Sequence, residues 1–270
     1  MTSTDAATGT YASVEGLVVA LDDGVLSLTL DRPESLNSLT ATMLDGIADA
    51  LERAASDPAV KVVRLAGAGR GFSSGAGISA QDQAKKAGGL TVLDAANRAV
   101  RSIVGCPRPV VAVVQGPAAG VGASLALACD IVLASEKGYF MLAFTKIGLM
   151  PDGGASALVA AAVGRIRAMR MALLADKIHA DEAFQAGLVT AVHPAEDLDA
   201  EADKVVAMLA HGPAVALAKT KEAINATTLT ELEGALEREH AGQASLLRRT
   251  DYKEGIRAFQ ERRAATFTDT

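Results

Sequence analysis

Residues 109–130, PVVAVVQGPAAGVGASLALACD, constrain the fold more than any other stretch of the chain. Val110 to Val114 form an unbroken apolar, mostly β-branched run, the composition of a strand buried on both faces. Gly116, Gly120 and Gly122, with Pro117 among them, make a glycine-rich turn, and Ala123 to Ala128 are small and apolar like a buried helix. A strand, a turn and a helix start gather free backbone N–H groups at one point, backed by the positive end of the helix dipole. Such a point can hold a phosphate, a carboxylate or an oxyanion. Neither GxGxxG nor GxxxxGK[ST] occurs here, which weakens a nucleotide phosphate. The same glycines also fit a purely architectural role, letting a helix pack closely on a sheet.

The rest of the chain alternates strand and helix patterns and then turns helical. Gly16–Leu30 reads as a hairpin around Asp22-Asp23-Gly24, closed by Arg32-Pro33. Met43, Leu44, Ile47 and Leu51 share one face of a helix over Thr40–Ala55. Val60–Leu65 is a strand, Ala66–Ile78 a second glycine-rich turn, Ser79–Gly89 a polar loop, and Thr91–Val104 a helix. Short strands are expected at Asp130–Ala134, Tyr139–Leu142 and Leu188–Val192, with helices at Ala155–Val163, Arg165–Leu174 and Asp181–Ala186. Beyond Leu198 only helical patterns remain, over 198–210, 214–226, 229–248 and 251–262. The fold class is therefore α/β, a parallel core with a helical appendage. Three segments follow: a disordered tail over 1–10, a core over 11–197 and a helical region over 198–270.

Composition narrows the function. Of 270 residues half are hydrophobic, enough for one large core, and the formal net charge of −6 argues against nucleic acid or an anionic membrane as partner. Aromatic residues are only 3% and tryptophan is absent, which disfavours base-stacking platforms. Cys106 and Cys129 both adjoin apolar runs and read as buried thiols. The polar start lacks the pattern of a signal peptide and no apolar run is long enough to span a membrane, so a cytoplasmic protein is expected. No GxSxG elbow occurs, and the four histidines have no metal-ligand spacing, so no metal is expected.

Six segments, in order, resemble the crotonase family, the enoyl-CoA hydratase/isomerase superfamily. They are LDRPESLNSLT (30–40), GAGRGFSSGAGIS (67–79), PVVAVVQGPAAGVGASLALACDIVLAS (109–135), IGLMPDGGAS (147–156), ADEAFQAGLV (180–189) and GIRAFQERR (255–263). The resemblance implies a crotonase-like spiral of ββα turns whose C-terminal helical region assembles a homotrimer, or a hexamer of paired trimers. It also implies an acyl-CoA thioester as ligand, with coenzyme A carried in the substrate and no separate cofactor. The family's shared device, two main-chain N–H groups around the thioester oxygen, falls on Ala76 and Val121. Val121 stands where glycine is usual, and a β-branched residue narrows the allowed backbone angles. Coenzyme A would lie along Ser35, Leu36, Ser74, Ala76 and Ile78, and Gly77 stands where aspartate is usual.

The chain departs from the family at its acid–base residues. The two glutamates of family hydratases fall on Ser124 and Phe144, neither of which can be a carboxylate base. Such a pair supplies about 10²–10⁴ in rate per group. Asp152, in LMPDGGAS, is the carboxylate left near this site: it could move a proton, cap the helix that follows, or do both. Ser124 either bonds ligand or water or fills space at a tight helix start, and Phe144 reads as a wall for an acyl chain. The favoured expectation is double-bond isomerisation in fatty-acid metabolism. The alternatives are an atypical enoyl-CoA hydratase of fatty-acid oxidation and a non-catalytic acyl-CoA-binding protein.

Overall fold

The computed structural model describes residues 11–78 and 89–270. The expected tail, and the expected loop apart from Gly89, lie outside the described residues. β1 (Leu17–Asp22) and β2 (Val25–Leu30) form the hairpin, paired antiparallel from Leu17 opposite Leu30 to Asp22 opposite Val25. From β2 onward the main sheet is parallel. It continues through β3 (Val62–Gly67), β4 (Val110–Val114), β6 (Ile131–Ser135) and β9 (Ala191–His193), in the order β1-β2-β3-β4-β6-β9. A second sheet joins β5 (Pro117–Ala119), β7 (Tyr139–Met141) and β8 (Ile178–His179).

The period-two alternation of the central strands decides which helix covers which face. On β3 and β4, Val63, Leu65, Val110, Ala112 and Val114 enter the main core with α1 (Ala41–Ser56) and α2 (Gly89–Gly105). Val62, Ala66, Val111 and Val113 point the other way, onto Leu198, Ala202 and Val206 of α6 (Leu198–Ala210). β4 is thus buried on both faces, as its composition predicts. Met43, Leu44 and Ile47 of α1 are fully buried, at about 1.5–3 kcal/mol for each large side chain. Thr40 caps that helix, its side chain accepting from Met43 N at 3.2 Å.

The remaining helices are α3 (Val121–Ala128), α4 (Ala155–Leu174), α5 (Ala180–Ala186), α7 (Ala214–Thr228), α8 (Leu232–Leu246) and α9 (Thr250–Gln260). α4 breaks at Gly164, matching the two helices expected there. Three expectations need correction. The glycine-rich stretch after β4 contains a strand, β5, too short to register as a hydrophobic pattern. The same is true of the two-residue β8. The last strand begins at Ala191, because Leu188 N still bonds Ala183 O and closes α5.

Candidate active site

Two chain segments run side by side here. Ser73 pairs in parallel with Ala118: Ser73 N donates to Pro117 O at 3.0 Å and Ala119 N donates to Ser73 O at 2.9 Å. Beyond that pair the two segments turn, at Gly75 (φ 91°) and Gly120 (φ 53°), just before Ala76 and Val121. A Cβ on Gly120 would lie 3.7 Å from Gly75 Cα, so the segments are still adjacent at the turn.

Peptide planarity then fixes where the two amides point. Gly75 O accepts from Leu39 N at 2.8 Å, so the N–H of Ala76, in the same trans peptide, points away from Leu39. Gly120 O accepts from Ala123 N and Ser124 N, so the N–H of Val121 points out ahead of α3. Among the described residues neither N–H has a protein acceptor. Gly120 absorbs the unusual backbone angles, φ 53° and ψ −134°, so Val121 enters the helix as its first residue without strain. Gly122 serves packing: a Cβ there would lie 2.6 Å from Ser73 Cβ. The two sequence readings of these glycines, free amides and close packing, thus fall on different members of the set.

The residues matched to coenzyme A share one lip of this site. Ser74 N donates to Leu36 O at 2.8 Å and Ser74 Oγ to Ser35 O at 2.9 Å. Asn37, fully buried, stitches the lip together. Its Oδ1 accepts from Arg32 N, and its Nδ2 donates to Ala68 O and Gly71 O. Ile78 O accepts from Gln260 Nε2 of α9 at 3.2 Å.

Asp152 lies on the loop between Gly148 and α4, close to the start of α3. A Cβ on its neighbour Gly153 would sit 3.1 Å from Ser124 Cβ and 3.3 Å from Val121 Cγ2. Ser124, fully buried, donates its hydroxyl to Asp152 O at 2.8 Å, which makes it a brace between helix and loop. Phe144 is buried, with its ring tip 3.9 Å from where a Gly120 Cβ would be.

The capping role considered for Asp152 belongs to another residue. Glu239, on α8 and 1% exposed, accepts from Gly154 N at 2.7 Å and Ser156 N at 2.9 Å at the start of α4. The Asp152 carboxylate instead accepts from Gln243 Nε2 at 2.7 Å, and Gln243 Oε1 accepts from Met150 N at 3.3 Å. Asp152 is half-buried, and desolvation pushes its pKa up to about 7. The Gln243 hydrogen bond opposes that rise and the negative charge of Glu239 adds to it. Burial likewise raises Glu239. Sequence reasoning missed both α8 residues. Their only signal is two polar side chains, at 239 and 243, in phase with the apolar positions Leu232 and Leu236.

Among the described residues no three His, Cys, Asp or Glu side chains are placed to hold a metal, and no helix is long and apolar enough to cross a membrane. Cys106 and Cys129 are buried free thiols. A recess of about 700 Å³ between the sheet and α6 is lined by Arg64, Gln115 and Asp199 among others, and contains none of the site residues named above.

A family model described as enoyl-CoA hydratase/isomerase matches residues 21–270. A probable enoyl-CoA hydratase of Rhodobacter capsulatus is 41% identical over 250 residues, covering 92% of this chain and 96% of that one. A 1,2-epoxyphenylacetyl-CoA isomerase of Escherichia coli is 37% identical over 259 residues, covering 94% and 99%. The crystal structure of an enoyl-CoA hydratase from Mycobacterium avium subsp. paratuberculosis superposes with a TM-score of 0.88 at 65% identity, covering 94% of this chain and 99% of that one.

Proposed function

The chain belongs to the enoyl-CoA hydratase/isomerase family, and from that premise we propose that it moves the double bond of an enoyl-CoA thioester, with Asp152 carrying the proton. Relatives named as hydratases and isomerases support an enzyme of the lyase or isomerase type. The observation that carries the isomerase reading is Asp152 itself. It is a half-buried carboxyl whose pKa sits at about 7, where giving and taking a proton are both easy. Ser124 and Phe144, at the hydratase glutamate positions, offer no carboxylate to activate water.

In the proposed reaction the thioester oxygen of a 3-enoyl-CoA accepts hydrogen bonds from Ala76 N–H and Val121 N–H. The Asp152 carboxylate takes a proton from C2. The C–H electron pair forms the dienolate, whose negative charge rests on that oxygen. The dienolate then takes the same proton back from Asp152 at C4, leaving a C2–C3 double bond and regenerating the carboxylate. One oxyanion donor is worth on the order of 3–4 kcal/mol in other enzymes. Coenzyme A is assigned to the lip of Ser35, Leu36, Ser74, Ala76 and Ile78.

The test is conversion of 3-enoyl-CoA to 2-enoyl-CoA by the wild type and by Asp152→Asn. A loss of about 10²–10⁴ is expected, the usual contribution of a positioned acid–base group. Equal rates would remove Asp152 from the reaction. Formation of 3-hydroxyacyl-CoA from 2-enoyl-CoA would favour the hydratase, and tight acyl-CoA binding without turnover a binding protein.

The proposal extends to a homotrimer or a hexamer. Its support is the second half of α4, where Ile166 and Leu173 are 77% and 64% exposed beside Met169 and Leu174. Sedimentation equilibrium tests it: a monomer would exclude both assemblies.

A further inference from the structure

α8 grips the Asp152 loop through two side chains one helical turn apart. Glu239 and Gln243, at i and i+4, present one face of the helix to residues 150–156. Glu239 holds the N–H groups of Gly154 and Ser156, and so fixes the loop where it enters α4. Gln243 uses both ends of its amide. Its oxygen is anchored on Met150 N–H, which fixes the flip of the amide and turns Nε2 toward Asp152. Gln243 is itself 2% exposed, so the group that bonds the carboxylate is held inside the protein.

The bond takes one carboxylate oxygen only. Oδ2 is occupied by Gln243, and no hydrogen bond to Oδ1 arises among the described residues. A carboxylate held this way keeps one oxygen for a substrate and cannot swing its other oxygen in at random. Reuse of a single proton at two carbons, C2 and C4, needs such a fixed pivot, because misplacement of a reacting group by an ångström costs about a hundredfold in rate.

We propose that Gln243 is a positioning residue for proton transfer: its amide, anchored on Met150, holds Oδ2 of Asp152 and leaves Oδ1 to carry the proton between substrate carbons. Glu239 is the second part of the device. It secures the loop and sets its own negative charge against Asp152. The inference rests on the proposed role of Asp152, and it adds an element outside the six segments that carry the family resemblance.

The experiment compares Gln243→Met, which keeps the length and loses the donor, and Gln243→Glu, which keeps the length and sets a carboxyl against Asp152. Two readouts are taken. The first is kcat and KM for 3-enoyl-CoA isomerisation against pH. The second is the titration of the Asp152 carboxyl by carbon-13 NMR of labelled aspartate, assigned by its loss in Asp152→Asn. The NMR readout needs no turnover. For Gln243→Met, kcat is expected to fall about 10–100-fold, with KM within about threefold, as for a misplaced catalytic group. The Asp152 midpoint is expected to rise above its starting value of about 7, because the lost hydrogen bond favours the charged form. Gln243→Glu is expected to raise the midpoint further, and serves alone if Gln243→Met does not fold.

An unchanged midpoint and unchanged kcat in either variant would overturn the inference. So would a loss expressed wholly in KM, which would mark a binding role. If the wild type turns over no enoyl-CoA, the isomerase reading fails, while the NMR midpoint still tells whether Gln243 sets the state of Asp152.

Discussion

Gln243 on α8 donates to Oδ2 of Asp152 at 2.7 Å across 91 residues of sequence, while Asp152 itself braces against α3 through Ser124. That one contact ties the C-terminal helices to the turn where the free amides lie. Asp152 is therefore a member of a three-element junction rather than a side chain on an independent loop.

Because Asp152 is raised to about 7, stability depends on pH in a definite sense. The folded protein holds this proton more tightly than the unfolded chain, whose carboxyl titrates near 4. The stabilising contribution is complete below that unfolded value and is lost as pH rises through about 7. The whole span corresponds to at most about 4 kcal/mol. Asp152→Asn removes the titration, so the variant is expected to melt above the wild type at pH 8.5, with the gap closing toward pH 5. Thermal unfolding at the two pH values checks this, and a gap independent of pH would contradict it.

Val121→Pro deletes one amide and also replaces a side chain buried in the main core. Val121 is the first residue of α3, where proline is well tolerated because that N–H makes no helical bond. Val121→Pro is expected to lower kcat/KM by about 10²–10³, the loss typical of one oxyanion donor, with a stability loss of about 1–3 kcal/mol from the reshaped core side chain. Steady-state kinetics beside a denaturant melt separates the two effects.

Gly122 is predicted by its contacts to be intolerant of even one methyl. A Cβ there would meet Ser73 Cβ at 2.6 Å and Ser73 O at 3.0 Å. Gly122→Ala is expected to destabilise by about 1–3 kcal/mol, the usual cost of overpacking. It would also part the two segments that carry Ala76 and Val121, so kcat/KM should fall with stability. A variant as stable and active as the wild type would refute the close approach.

Asn37 holds the lip formed by Ser35, Leu36 and Ser74 from inside. Its side chain bonds Arg32 N, Ala68 O and Gly71 O while fully buried, at φ 54°. Asn37→Ala strands those groups, and a loss of about 2–4 kcal/mol in urea unfolding is expected.

Much of this arrangement was legible in the sequence, for local reasons. The Val110–Val114 run carries its double burial in its composition, and the α1 face carries its burial in its spacing. Two kinds of feature were not legible. β5 and β8, at three and two residues, are too short for any period, and exist because neighbouring chain offers hydrogen bonds. Glu239 and Gln243 look like solvated helix positions until α8 meets the Asp152 loop; a tertiary contact decides their meaning. The capping role, one of the two left open for Asp152, falls on Glu239 for the same reason: a distant residue is brought to the start of α4 by the tertiary contact.

In the proposed reaction the N–H groups of Ala76 and Val121 meet on one thioester oxygen. Vibrational difference spectroscopy of an unreactive acyl-CoA, labelled with carbon-13 at the thioester carbonyl and bound to the protein, measures this directly. The carbonyl band is expected at a lower frequency than in water, with part of the shift lost in Val121→Pro. A bound thioester whose band stays at its solution frequency in both proteins would contradict it.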